Sequence, residues 1–409
     1  MWQFVAVILA FLLLPLLISK LKRNLAISLG ICGLVIHVLA LRSWESLYKA
    51  VLNIFTFSSL NVIFTVFLIG ILSSLMKHYG LLEDIVSSMK NLFRSNKLLI
   101  GLIPFVIGML SVPGGAYLSV PFIDDLGKEA DIDPAKRAAI NLSFRHIGMF
   151  LVPFSTPLIY VAANVPEINI YHLILLNLAF VLVMQIGATL LYIPRRCPPI
   201  LENGKAAPKK ESLKKLLFSI SPIVIAILFN GLFKLPMSAA IALSIAWVRV
   251  ICPKKEFLGT VKKSCSFDVP LMLLGVYFIQ NTILQLTDIM NSFTGIFQSP
   301  STLVILMAVA VGCIFIGTVT GLSLANLGVF VPMILALPLS STKLLLYVFF
   351  LCIWSFLGYY YSPLHLCQIL TIKYIGVSAK DVYKQHLRLF PWLAAASFGL
   401  YFLYSKLLL

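Results

Sequence analysis

Apolar runs follow one another along almost the whole of this 409-residue chain, at about 2–19, 24–41, 55–76, 98–126, 135–164, 170–193, 214–233, 236–252, 267–290, 301–338, 343–376 and 386–407. A bilayer has a hydrocarbon core roughly 30 Å thick, which about 20 residues of helix can cross, so most of these runs are long enough to span it. In that medium every backbone N–H and C=O must be satisfied within the protein, and for runs of this length that means α-helix. With 60% hydrophobic residues, 11% charged residues and a mean hydropathy of +0.98, the chain reads as an all-α integral membrane protein with many crossings. The first run ends in Lys20, Lys22 and Arg23 without a small-residue cleavage site, so it is expected to be a retained helix and not a signal peptide.

One run cannot be an ordinary span. Residues 98–126 consist of two arms of about 12 residues on either side of Ser111-Val-Pro-Gly-Gly-Ala116. A 12-residue helix reaches only about 18 Å. Pro113 lacks a backbone donor, and Gly114 and Gly115 free the chain to turn. The expectation is a re-entrant hairpin with its tip near mid-membrane, where irregular backbone survives only against protein or a water-filled cavity.

The pattern then repeats. A polar, Pro-rich stretch at 194–213 reads as a linker, and a second hairpin candidate lies at 301–338. Gly148 and Pro153 recur, five residues apart in both cases, as Gly358 and Pro363, and Gly108, Pro121, Gly70 and Asp84 find counterparts in Gly317, Pro332, Gly275 and Asp288. Five spans and one hairpin per repeat, about 10 spans and two hairpins in all, make the repeats inverted. That arrangement puts 26 Lys/Arg on one side and five on the other, with Arg145 inside a span. The richer side is then cytoplasmic and both termini external, and the net charge of +17 reports orientation instead of a nucleic-acid partner. Residues 43–54, 80–95 and 284–299 mix apolar and polar positions at helical spacing and read as amphipathic helices, either interfacial or packed on the bundle.

Four interruptions converge if the repeats are inverted: Ser111–Ala116, Pro153–Pro157, Thr318–Asn326 and Gly358–Pro363. Each exposes a helix N-terminus whose free N–H groups favour an anion. The candidate substrate contacts are Ser111, Pro113, Gly114, Gly115, Ala116, Ser155, Thr156, Thr318, Thr320, Gly321, Ser323, Asn326 and Ser362. Unwound carbonyls and hydroxyls near Ser111, Gly114, Thr156, Thr320, Asn326 and Ser362 suit Na⁺ as a coupling ion. Arg145 either forks onto a carboxylate or snorkels to the interface. His146 either carries a proton or is a hydrogen-bonded core imidazole, and His365, just after the second break, is a further site candidate.

Absences narrow the classes. None of the fifteen acidic residues sits in mid-span, which argues against proton exchange through a buried carboxylate pair. No P-loop, H-E-x-x-H or Ser/His/Asp arrangement points to an ATPase or a protease, so no enzyme and no organic cofactor is expected. The seven cysteines are scattered through apolar segments without C-x-x-C, and read as small buried hydrophobes, not as a disulfide framework or metal site.

The order of helix pair, amphipathic segment, span, hairpin, broken helix and final span, present twice, resembles the ion-transporter superfamily of secondary transporters. Within it, IGMLSVPGGAYLSVP and NLSFRHIGMFLVPFSTPLIY look most like a prokaryotic branch known only as a domain of unknown function. The paired Ser-Asn-Thr signatures of the sodium symporters are replaced here by Ser111-Val112-Pro113 or Ser155-Thr156 and by Thr320-Gly321 or Tyr361-Ser362. The resemblance implies a homodimer in the inner membrane working by an elevator motion, with scaffold parts at 1–96 and 214–298 and transport parts at 97–193 and 299–409. The expected function is Na⁺- or H⁺-coupled transport of a small organic anion. The competing expectations are an intramembrane enzyme acting on an anionic lipid, with His146 as base and Arg145 as phosphate clamp, and an uncoupled anion channel.

Overall fold

A computed structural model describes residues 2–20, 25–93, 95–109, 116–195, 197, 208–252, 256–297, 299 and 301–409. The candidate tip residues Ser111, Pro113, Gly114 and Gly115, and most of the 194–213 linker, lie outside the described residues. The protein is all-helical, with 84% helix and no strand among the described residues. Seven helices there are long and apolar enough to cross a membrane: Phe57–His78, Pro134–Asn164 taken through its breaks, Ile170–Tyr192, Lys209–Gly231, Thr302–Thr320, Ser341–Tyr360 and Ala379–Leu408. Of the other four expected spans, the apolar helix Trp2–Lys20 has 19 residues, while Leu25–Ala40 and Asp268–Ile283 have 16 each and Met237–Ile251 has 15.

Local signals set the helix starts. Ser95 Oγ accepts from Leu98 N–H, and Asp133 caps the helix Pro134–Arg145 by accepting from Ala135 and Lys136 N–H, with Pro134 at the first helical position. Each such cap satisfies one of the donors that a helix start leaves free. The amphipathic segments are the helices Trp44–Leu52, Leu81–Leu92 and Thr287–Phe297. Leu81–Leu92 buries Leu81, Leu82, Ile85, Val86 and Met89 and packs on Lys209–Gly231.

The two halves use the same pairings. In the first, Asn96–Gly108, Ala116–Glu129 and Pro134–Arg145 all pack on one another; in the second, Thr302–Thr320, Ser323–Leu335 and Ser341–Tyr360 do so. Ile170–Tyr192 and Ala379–Leu408 lie against each other and against both triplets. Outside this core, Leu25–Ala40 packs on Asp268–Ile283, and Met237–Ile251 packs on Phe57–His78, so each half's outer helix pair leans on the other half's.

Backbone meets backbone at two equivalent crossings. A Cβ on Gly108 would lie 2.1 Å from the Arg145 carbonyl oxygen, and one on Gly148 would lie 2.9 Å from that of Gly108. In the second half, a Cβ on Gly317 would lie 2.5 Å from the Gly358 carbonyl carbon, and one on Gly358 would lie 2.0 Å from the Cys313 oxygen. No side chain fits at those separations. Four of the six glycines that the sequence aligns thus let the helices Asn96–Gly108 and Thr302–Thr320 press onto the broken helices.

Two features differ from expectation. The first arm of the second hairpin candidate, Thr302–Thr320, has 19 residues, and at 1.5 Å per residue it reaches about 28 Å, the length of a full crossing. The first broken run breaks twice: Pro134–Arg145 ends at His146, a four-residue helix Gly148–Leu151 follows, and Thr156–Asn164 restarts after Ser155. The earlier break falls where Gly108 and Gly148 cross, and His146 Nδ1–H caps the helix end by donating to the Leu142 oxygen at 2.6 Å.

Candidate functional site

Both breaks and the second tip open on one cavity of about 200 Å³. Of the expected site residues, Arg145, His146, Thr156, Gly321, Ser323 and His365 line it. The first residues of three helices contribute to its wall: Thr156 and Pro157 of Thr156–Asn164, Ser323 and Leu324 of Ser323–Leu335, and Leu366 and Cys367 of Leu366–Ile375. The first-turn N–H groups of a helix have no partner within it, and its dipole is positive at that end. Val269 and Met272, from the outer helix Asp268–Ile283, close the cavity with apolar surface.

Arg145 is the last residue of its helix and only 4% exposed. Its side chain is enclosed by protein, and the guanidinium lies beside the Cys367 thiol. Among the described residues no carboxylate pairs with Arg145, and its Nη1 has no hydrogen-bond partner there. A helix C-terminus favours a cation, which offsets part of the cost of burying this one. Among the described residues the Cys367 thiol lies beside the guanidinium, and no carboxylate offsets the rest.

The two histidines are held in one orientation. His146 Nδ1 faces the Leu142 oxygen at 2.6 Å and His365 Nδ1 faces the Tyr360 oxygen at 3.2 Å. A carbonyl can only accept, so each Nδ1 carries the hydrogen and each Nε2 of the neutral ring presents a lone pair. The rings pack edge to face with centroids 4.9 Å apart, and Tyr359 covers His365 at 4.7 Å and His146 at 5.8 Å. Tyr359 Oη–H in turn donates to Met149 Sδ at 2.9 Å. His365 Nε2 is buried without a hydrogen-bond partner among the described residues. His146 Nε2 or Nδ1, His365 and Cys367 Sγ offer ligand atoms that all lie within 4.8 Å of one another.

The other predicted contacts serve the breaks themselves. Ser155 Oγ donates to the Met149 oxygen at 2.9 Å, Thr320 Oγ1 to Ile316 at 2.7 Å, and Ser362 Oγ to Thr318 at 2.6 Å. Thr318 Oγ1 reaches the Gly358 oxygen at 3.5 Å, and Asn326 Nδ2 donates to the Ser355 oxygen at 3.3 Å. Ser155 and Ser362 satisfy carbonyls at the interruptions, while Thr320 and Asn326 add a second bond to carbonyls within helices. Asn326 Oδ1 stays buried without a partner among the described residues. Ala116, at the start of its helix, is buried and does not line the cavity. Gly321 turns the second tip with φ of +68°, a left-handed value that glycine adopts without strain.

Cys367 and Tyr359 are the functional candidates that sequence reasoning passed over. The signal for Cys367 was His365-Leu366-Cys367 directly after the Pro363 break, two ligand-type side chains two residues apart.

The fold and cavity define a many-helix protein with apolar helices long enough to span a membrane and a largely apolar pocket, carrying Arg145, His146 and His365 in its wall, assembled at helix breaks. The chain belongs to the family described as protein of unknown function (DUF401), which it matches over residues 5–400. No curated protein matches it in sequence.

Proposed function

We propose that this protein is a secondary active transporter of a small, carboxylate-like organic anion, coupled to Na⁺ or H⁺. One observation carries the reading: Arg145 is buried at a 200 Å³ cavity with no carboxylate of the described chain to pair it. An unpaired buried cation is costly, and a substrate carboxylate would take the place of the missing partner with a bidentate fork. Three helix starts on the same cavity add donors for the same charge. The volume is below the roughly 300–1,000 Å³ of sites for drug-sized ligands, which suits a small anion.

The matched pairings of the two halves, and the two glycine crossings, support an inverted repeat of the kind found in the ion-transporter superfamily. In this reading the helices of 97–193 and 299–409 carry the substrate against a scaffold of 1–96 and 214–298. The wall formed by Val269 and Met272 is then the surface along which the site slides, in a homodimer of the inner membrane with external termini. Asn326 Oδ1, buried and unpartnered among the described residues, is the best-placed oxygen for a coupling Na⁺.

The test is uptake of radiolabelled mono-, di- and tricarboxylates into proteoliposomes under imposed Na⁺ and H⁺ gradients. Accumulation of one anion class, dependent on one gradient, is the expected result. If no small anion moves under either gradient, the reading fails.

A further inference from the structure

We infer that His146, His365 and Cys367 form a binding site for a thiophilic transition-metal ion of the Zn(II) type, with its open coordination position facing the Arg145 cavity. One ring nitrogen of each histidine and the Cys367 Sγ already lie within 4.8 Å of one another. Tetrahedral Zn(II), with bonds of about 2.0–2.3 Å, needs its ligands about 3.5 Å apart, so a side-chain adjustment of roughly an ångström closes the shell. His365 Nε2 is buried with no hydrogen-bond partner among the described residues, the state of a ligand atom awaiting its metal.

The surrounding contacts match those of metal-binding imidazoles. A ligating histidine characteristically donates its other ring N–H to a carbonyl or carboxylate, which fixes the tautomer and aims the lone pair. Both rings do this here through Nδ1, to the Leu142 and Tyr360 oxygens. Phe356, Tyr359 and Tyr360 pack around the His146 ring, with centroids 6.0, 5.8 and 5.5 Å away, and hold it in place. Cys367 is the soft ligand that selects a thiophilic ion over Na⁺ or Mg²⁺. Binding releases the thiol proton to solvent, and the thiolate brings one negative charge beside a divalent ion and Arg145. The remaining positive charge lies at the cavity, where an anion on the fourth position would meet metal and guanidinium together. The metal site stands on this geometry alone and holds whether or not an anion is transported.

Co(II) and Zn(II) are the probes, added to the purified full chain in detergent without any organic anion. The expected result is one Co(II) per chain, a near-ultraviolet thiolate-to-cobalt charge-transfer band, and displacement of that band by Zn(II). X-ray absorption of the Zn(II) form should fit one sulfur at about 2.3 Å and two imidazole nitrogens at about 2.0 Å. Cys367→Ser should remove the band, His365→Gln should weaken binding at least about tenfold, and Cys265→Ser, at an exposed thiol elsewhere, should change neither. A wild-type chain that binds neither ion, a band that survives Cys367→Ser, or a Zn(II) shell without sulfur overturns the assignment. The absorption measurement uses the unmodified chain, so it decides even if a variant misfolds.

Discussion

Two buried arginines sit on the same helix, eight residues apart, and meet opposite fates. Arg137 and Arg145 are 8% and 4% exposed, and each lies against a glycine of a neighbouring hairpin arm: a Cβ on Gly127 would strike the Arg137 stem at 2.5 Å, and one on Gly108 would lie 3.0 Å from Arg145 Cγ. The helix and the burial are alike; Arg137 lies in the first turn and Arg145 at the last residue, and their counter-charges differ. Arg137 Nε lies 3.4 Å from Asp124 Oδ1, an ion pair whose angle falls outside hydrogen-bond geometry, and Lys128 Nζ holds the other carboxylate oxygen at 2.5 Å. Arg145, about 12 Å further along the axis, has a cavity where Arg137 has Asp124. A residue type that pairs with a carboxylate at one site lines a cavity at the other, with no carboxylate partner among the described residues.

The comparison breaks most sharply at Arg145→Ala. Removing one partner of a buried charged contact costs a ligand roughly 2–5 kcal/mol, so anion binding and uptake should fall by at least about thirtyfold. Folding should be unaffected or slightly improved, because an uncompensated buried cation has been removed. Isothermal titration with the transported anion and thermal unfolding in detergent read the two effects separately. Unchanged affinity would make Arg145 a structural residue like Arg137. Asp124→Ala should do the reverse: transport affinity is retained, and stability falls by about 2 kcal/mol, between the 3–5 of a fully buried pair and the 1 or less of an exposed one. Combining Asp124→Ala with Arg137→Ala should recover part of that loss, since the pair is coupled. A loss equal to the sum of the two single changes would show that the ion pair contributes nothing beyond packing.

How this contrast was hidden or visible in the sequence follows from the chemistry of each signal. Proline and glycine act locally, so the breaks at Pro153 and Pro363 and the paired glycines at 108, 148, 317 and 358 could be read directly, and the structure brings those glycines into contact. A buried arginine in an apolar run announces itself in the same way. The break after Arg145 could not be read, because it arises from the approach of Gly108 to that backbone, a contact between segments some forty residues apart in the chain. Hydroxyls are ambiguous for a related reason. Ser155, Thr320 and Ser362 have the right chemistry for a ligand, but such a side chain can equally bond a backbone carbonyl, as Ser155 and Ser362 do beside the breaks and Thr320 does one turn back in its own helix. Cys367 was passed over because a cysteine in an apolar helix has the same sequence appearance whether its neighbours are leucines or, as here, two imidazoles.

Smaller changes sharpen the contrast by grading the cation instead of deleting it. Arg145→Lys keeps the charge and loses the planar fork, so binding of a carboxylate should weaken by about tenfold, roughly 1.4 kcal/mol, with the coupling ion unchanged. Equal affinity of wild type and Arg145→Lys for the carboxylate would reduce Arg145 to a point charge. The smallest effect belongs to a third environment. Lys49 Nζ meets Glu45 Oε1 at 2.6 Å, a shorter contact than Arg137 makes with Asp124, but both side chains are exposed, at 60% and 75%. Water already solvates each of them, and fixing two long side chains costs entropy that cancels most of the attraction. Lys49→Ala should therefore leave both the unfolding temperature and uptake unchanged within error. A measurable loss of stability there would mean that distance, and not burial, ranks the charged contacts of this protein, and the argument that sets Arg145 apart would lose its basis.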